Sequence, residues 1–77
     1  MSFGRNPHVA KAQAEEQKAA TARDVRAASQ AWREAARQWD RAAARETDGG
    51  KKSDYEAKAE AARTRADHPQ GPAKVLN

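Results

Sequence analysis

Small and apolar side chains recur at alternating spacings of three and four residues through the middle of the chain. The members of this series are Val25, Ala28, Trp32, Ala35, Trp39 and Ala42. Because an α-helix turns by about 100° per residue, this spacing places them on one face. The opposite face carries a basic stripe made of Arg33, Arg37, Arg41 and Arg45. The pattern predicts a central helix over residues 25–46 that packs through a tryptophan seam.

A first helix is predicted over residues 7–22. Asn6 is a good N-cap, and Pro7 suits the first helical position because its missing N–H has no intrahelical partner there. The apolar face is weak, since Glu16 interrupts a series made of Val9, Ala12, Ala19 and Ala22. Asp24 is the expected N-cap of the central helix, but no Gly or Pro separates the two segments. A single helix over residues 7–46 therefore stays open as an alternative.

A third helix is predicted over residues 53–67. The segment 47–50 reads Thr-Asp-Gly-Gly, and its glycines suit a turn and a helix C-cap. Ser53 and Glu56 have the spacing of a capping box at a helix start. The helix should end near Asp67, because the two prolines in the segment 68–72 cannot continue it.

These elements predict an all-α fold, a small antiparallel three-helix bundle over residues 7–67. Short connections between helices favour antiparallel neighbours. Residues 1–6 are expected to form a flexible lead and residues 68–77 a flexible tail. The second and third helices should pack against each other through the two tryptophans of the second helix and through Tyr55, Ala59 and Ala62 of the third.

The core of such a bundle would be thin. The chain of 77 residues contains 20 alanines, one leucine, no isoleucine and three valines. Each alanine methyl buries little apolar area, so helices must approach closely and helix propensity must contribute part of the stability. We expect either a marginally stable fold or one that a partner completes.

The sequence predicts a protein that is not an enzyme and that holds no cofactor or metal. It contains no cysteine, and its histidines, His8 and His68, fall at predicted helix ends without a neighbouring nucleophile. The run of Gly49, Gly50, Lys51 and Lys52 lacks the strand and the remaining residues of a phosphate-binding loop. A solvated turn is the expected role of this run.

The net charge of +4 suggests nucleic acid as one candidate partner. Repeated arginines at 33, 37, 41 and 45 could follow a phosphate backbone, which gains from counterion release. However, Glu34 lies within the stripe at the spacing that pairs it with Arg37, and Asp40 flanks it. A solvated, partly neutralised face is therefore preferred, and nucleic-acid binding through Arg33, Arg37, Arg41 and Arg45 is the second interpretation.

Membrane insertion is not expected. No apolar run approaches the roughly 20 residues that a membrane-spanning helix needs. The first residues, MSFGRNPHVAK, lack the apolar core of a signal peptide. Together these features predict a cytoplasmic protein.

Two related helical families share features of this pattern. The segment Trp32-x2-Ala35-Ala36-x2-Trp39 resembles the first helix of tetratricopeptide repeats. Residues 9–67 are similar to the microtubule-interacting and trafficking (MIT) domain. The positions that carry this likeness are Val25, Ala28, Ala35, Trp39, Glu46 and the third-helix stretches 55–59 and 65–67. The resemblance implies a three-helix bundle whose third helix borders grooves for short helical peptides.

We therefore predict a small protein-interaction module. A partner helix or peptide would bind in a groove bordered by the third helix, near Tyr55, Ala59, Ala62, Arg63 and Ala66. A structural role through self-association along the alanine seams is a third interpretation, beside nucleic-acid binding.

Overall fold

The computed structural model describes residues 6–68, and three α-helices account for most of them. They are α1 (Pro7–Ala20), α2 (Val25–Arg45) and α3 (Gly49–Asp67). Both α1 and α3 pack along α2, whereas α1 and α3 make little direct contact. Asn6 lies beside Ala42, and Ser29 lies beside Ala66, so each neighbour runs antiparallel to α2. The predicted all-α three-helix bundle is confirmed.

The predicted break between the first two helices is also confirmed. The first helix ends at Ala20, two residues earlier than predicted, and Thr21 closes it by donating its backbone N–H and its hydroxyl to the Gln17 carbonyl. Asp24 then caps α2, because its carboxylate accepts a hydrogen bond of 2.8 Å from the Ala27 N–H. Because the end of α1 and the start of α2 each have a local cap, residues 7–46 form two helices instead of one.

Asn6 belongs to the folded unit, although the predicted flexible lead includes it. Its side-chain oxygen caps α1 by accepting from the His8 N–H, and its amide nitrogen donates to the Ala42 carbonyl at 3.0 Å. The residue is buried, with 8% of its surface exposed. The rest of the predicted lead, residues 1–5, and the predicted tail beyond His68 lie outside the described residues.

The start of the third helix differs from the prediction. Helix α3 begins at Gly49, and its N-cap is Asp48, whose carboxylate accepts a hydrogen bond of 2.9 Å from the Lys51 N–H. Gly49 and Gly50 are thus the first helical residues, and neither has the positive φ of a C-capping glycine. Ser53 lies inside the helix, so the predicted capping box with Glu56 is wrong. Local capping by Asp48 offsets the low helix propensity of the glycines.

Alanine methyls from all three helices surround one large side chain. Trp39 has 2% of its surface exposed and is in contact with a cluster formed by Ala12, Ala35, Ala36, Ala42, Ala59 and Ala62. Val9, Trp32 and Tyr55 pack against this cluster and are partly buried. Because the alanines are small, the helices approach closely, and the indole fills the space that they leave. The tryptophan seam predicted for α2 is therefore the centre of the core.

Candidate interaction groove between α2 and α3

Two contacts join α2 to α3 at the surface. The Ser29 hydroxyl donates a hydrogen bond of 2.8 Å to the Ala66 carbonyl. Farther along α2, the Arg63 guanidinium donates to the Asp40 carboxylate at 2.9 Å. A serine can reach a carbonyl of a neighbouring helix only when the two backbones lie close together. These contacts hold the two helices side by side along a shallow groove.

The groove contains two open cavities. One has a volume of about 330 Å³ and is lined by Arg33, Ala36, Arg37, Asp40, Arg63, Ala66 and Asp67. The other has a volume of about 650 Å³ and is lined by Val25, Arg26, Ser29, Gln30, Arg33 and Ala66. Arg33 and Ala66 line both cavities, so the two form one continuous surface, here called the α2/α3 groove.

Arg63 is the most strongly engaged charge in this groove. Its guanidinium contacts Glu60 at 3.1 Å and Asp40 at 2.9 Å, and these hydrogen bonds raise the pKa of Arg63 above its ordinary value. The side chain therefore stays cationic. Both ion pairs are solvent-exposed, so each contributes little to stability. Their main effect is to fix the direction of the Arg63 side chain.

The predicted partner-binding residues do not lie on one exposed surface. Ala59, Ala62 and Ala66 have 0%, 1% and 4% of their surface exposed, because they face the α2–α3 contact. Tyr55 is partly buried and stacks on Trp39, with 5.6 Å between ring centroids. Of the five residues, Arg63 and Ala66 line the α2/α3 groove. The three alanines pack against α2, and only the edge of Ala66 reaches the groove.

The arginine stripe of α2 is exposed along its whole length. Arg33 and Arg37 line the α2/α3 groove, whereas Arg41 and Arg45 lie outside the cavity walls. As predicted, Arg37 pairs with Glu34, at 3.7 Å. Asp40, which the sequence places only beside the stripe, reaches across to α3. The stripe is thus divided between the groove and the open surface.

Other groove residues are not evident from the sequence. Arg26 lies seven residues before Arg33, which is two turns of helix, and so shares its side of α2. Val25 belongs to the predicted apolar seam but keeps 43% of its surface exposed at one end of the groove. The spacing of Arg26, Arg33 and Arg37 could have indicated that one side of α2 is basic. This spacing does not reveal which helix lies beside that side of α2.

The tryptophans have different surroundings. The Trp39 ring is covered by Tyr55 and by the Lys58 ammonium, whose nitrogen lies 5.4 Å from the ring centroid. Trp32 is half-buried, and the Arg65 guanidinium lies 5.0 Å from its ring centroid. Lys58 and Arg65 both belong to α3 and make cation–π contacts. Neither tryptophan lines the α2/α3 groove.

Neither histidine is among the residues that line the groove. His8 lies near the start of α1, where its Nδ1 is 3.0 Å from the Gln38 side-chain oxygen, and His68 is the C-cap of α3. Within residues 6–68, no three acidic or histidine side chains cluster as metal ligands would. None of the helices in that range combines the length and the apolar character needed to cross a bilayer.

Comparisons of the chain with protein-family models, with curated proteins and with solved structures find no match. The resemblance to MIT and tetratricopeptide domains therefore stays a prediction.

Proposed function

We propose that this protein is a small interaction module that binds a helical segment of a partner protein along the α2/α3 groove. The observation that supports this proposal is the continuity of the two open cavities through Arg33 and Ala66. The groove lies beside α3, although Ala59 and Ala62 of the predicted binding surface are buried in the α2–α3 contact. Ala36 and Ala66 form its narrow floor, and charged side chains form its rim, as at the polar rim of many protein interfaces.

The length of the groove suits a helix of moderate size. Its lining on α2 extends from Val25 to Asp40. At a rise of 1.5 Å per residue, this segment is roughly 22 Å long, which corresponds to about four turns of a bound helix. Alanines at the floor, Ala36 and Ala66, allow another backbone to come close, as alanines do within the bundle itself. A partner helix would also cover the exposed side chain of Val25 at one end of the groove.

A site-specific cross-linking experiment tests this proposal. A photoreactive amino acid replaces Gln30, an exposed and uncharged residue of the groove lining, and the matched control replaces Gln17, an exposed glutamine of α1 outside the groove. We expect discrete protein adducts from position 30 in cells of the source organism and none of the same adducts from position 17. Identical adducts from both positions, or none from either, would count against the groove.

A second candidate function uses the arginine stripe on nucleic acid. The supporting observation is that Arg33, Arg37, Arg41 and Arg45 are all exposed. Binding to DNA or RNA should then weaken steeply with salt, and both Arg41→Glu and Arg45→Glu should reduce it. Because Arg41 and Arg45 lie outside the groove, these variants separate the two functions. Absence of binding at low ionic strength would remove this candidate.

A further inference from the structure

We infer that the partner segment bound in the α2/α3 groove is an acidic amphipathic helix. This inference rests on the proposed function and adds the chemistry of the partner to it. Three features of the groove support it: the excess of cationic groups at the end beside Val25, the division of the arginines between paired and unpaired ones, and the exposed apolar side chain of Val25.

The end of the groove beside Val25 is predominantly cationic. The cavity at this end is lined by two guanidinium groups, those of Arg26 and Arg33, and by no carboxylate. In the other cavity, the guanidinium groups of Arg37 and Arg63 already pair with carboxylates. A surface with this excess of one sign attracts partners of the opposite sign and repels basic ones. An acidic segment is therefore favoured over a basic or neutral one at the stage of encounter.

The arginines of the lining differ in what they already bind. Arg63 contacts two carboxylates and Arg37 contacts one. Among the described residues, Arg26 and Arg33 form no ion pair. These two guanidinium groups are thus available for an incoming carboxylate. Each is able to donate two parallel hydrogen bonds to one carboxylate, which gives the pairing a defined geometry.

The spacing of the two available arginines defines a matching pattern. Arg26 and Arg33 are seven residues apart, which places them on the same side of α2 at a separation of roughly 10 Å. A helix lying along the groove presents side chains seven residues apart at the same separation. The partner should therefore carry acidic residues at positions i and i+7 on the edge that faces α2.

The surface beside these charges is not suited to a simple polyanion. Val25, next to Arg26, is 43% exposed, whereas the floor alanines Ala36 and Ala66 are only 3% and 4% exposed. An apolar side chain of an amphipathic helix would cover Val25, whereas a phosphate backbone would leave it exposed to water. Charge and apolar surface together favour an acidic helix over nucleic acid.

Synthetic helical peptides test the inference directly. Three labelled peptides of about 16 residues share an alanine and leucine body and carry Glu, Gln or Lys at positions i and i+7. Binding to the full chain is measured by fluorescence anisotropy at low and physiological salt. We expect the Glu peptide to bind about tenfold more tightly than the Gln peptide, and the Lys peptide to bind most weakly.

Charge reversal supplies the decisive variants. Arg33→Glu should weaken binding of the Glu peptide by about tenfold and should improve binding of the Lys peptide. The matched control Arg41→Glu makes the same charge change on the same helix outside the groove and should alter either affinity by less than about twofold. Circular dichroism melting of each variant shows that the fold is retained. A gain for the Lys peptide cannot come from unfolding.

Several outcomes would overturn the inference, and they are distinguishable from failure of the proposed function. Equal binding of the Glu and Gln peptides, unaffected by Arg33→Glu, would refute an acidic partner while leaving a helix-binding groove. Weakening by Arg41→Glu as large as that by Arg33→Glu would indicate general attraction to the basic stripe.

Two further outcomes would assign the groove to another occupant. A concentration-dependent dimer in light scattering, with cross-links from position 30 to a second copy, would place a second copy of this chain in the groove. Peptide binding that occurs only after deletion of residues 69–77 would assign the groove to this segment of the same chain. Absence of binding by every peptide, together with no cross-linked adduct from position 30, would remove the proposed function as well.

Discussion

The indole N–H of Trp39 donates a hydrogen bond of 2.7 Å to the Glu16 carboxylate, which joins α2 to α1. The same indole stacks on Tyr55 of α3. A buried tryptophan needs a partner for its N–H, and the acidic residue that interrupts the apolar face of α1 supplies it. Trp39 therefore connects all three helices, and the partly buried Glu16 supplies the hydrogen bond that the core tryptophan needs.

Removal of this hydrogen bond should destabilise the protein. Glu16→Ala leaves the indole N–H without its partner, which should lower the free energy of unfolding by about 1–3 kcal/mol. Glu16→Gln retains an acceptor oxygen and should cost less than the alanine variant. Urea denaturation followed by tryptophan fluorescence measures both. Glu15→Ala, which removes an ion pair with the exposed Lys18, is the control and should cost no more than about 1 kcal/mol. Equal losses from the Gln and Ala variants at position 16 would show that the hydrogen bond is not the cause.

A substitution of Asn6 by aspartate separates its role as the cap of α1 from its hydrogen bond to α2. Asn6→Asp keeps the side-chain oxygen that caps α1, and Asp is as good an N-cap as Asn. It removes the amide that donates to the Ala42 carbonyl and places a carboxylate near Glu46, whose oxygen lies 3.4 Å from the Asn6 nitrogen. We expect a loss of about 1–3 kcal/mol in thermal or chemical unfolding. An unchanged stability would mean that Asn6 acts as a helix cap alone.

The start of α3 can be located by comparing two candidate caps. Asp48→Ala removes the acceptor of the Lys51 N–H and should cost about 0.5–2 kcal/mol. Ser53→Ala should be neutral or slightly stabilising, because Ser53 lies within the helix and alanine is the better helix former. Parallel urea titrations of the two variants provide the measurement. The reverse order of effects would place the helix start at Ser53.

Alanine at position 49 should stabilise the protein. Gly49 is the first residue of α3, its φ is not positive, and a Cβ built there meets no atom within 4 Å. Gly49→Ala should add about 0.4–1 kcal/mol to the free energy of unfolding, mainly by restricting the unfolded chain. At Gly50, the added Cβ would lie 3.4 Å from the Asp48 carboxylate oxygen that caps the helix, so the gain there should be smaller. A destabilised Gly49→Ala variant would contradict a helical conformation at this residue.

Helix boundaries could be predicted where one residue supplies an unambiguous local signal. Asn6 with Pro7, and Asp24, cap their helices as predicted, because capping depends on atoms within a few positions of each other. The start of α3 was not predicted, because Asp48 and Ser53 are both good caps and the glycines between them favour a turn. The extra turn forms hydrogen bonds from the Lys51 and Lys52 N–H groups to Asp48, which offset the glycine penalty.

The sequence by itself determined the all-α class and the tryptophan seam, and it favoured a break between the first two helices and a seam with Ala59 and Ala62. Only the tertiary structure decided the role of Glu16 and the assignment of Arg33 and Arg37 to the α2/α3 groove. The physical reason is that hydrophobic periodicity identifies which face of a helix is buried. It does not specify how neighbouring helices are rotated and shifted against that face. Contacts such as Arg63 with Asp40, 23 positions apart, depend on that arrangement.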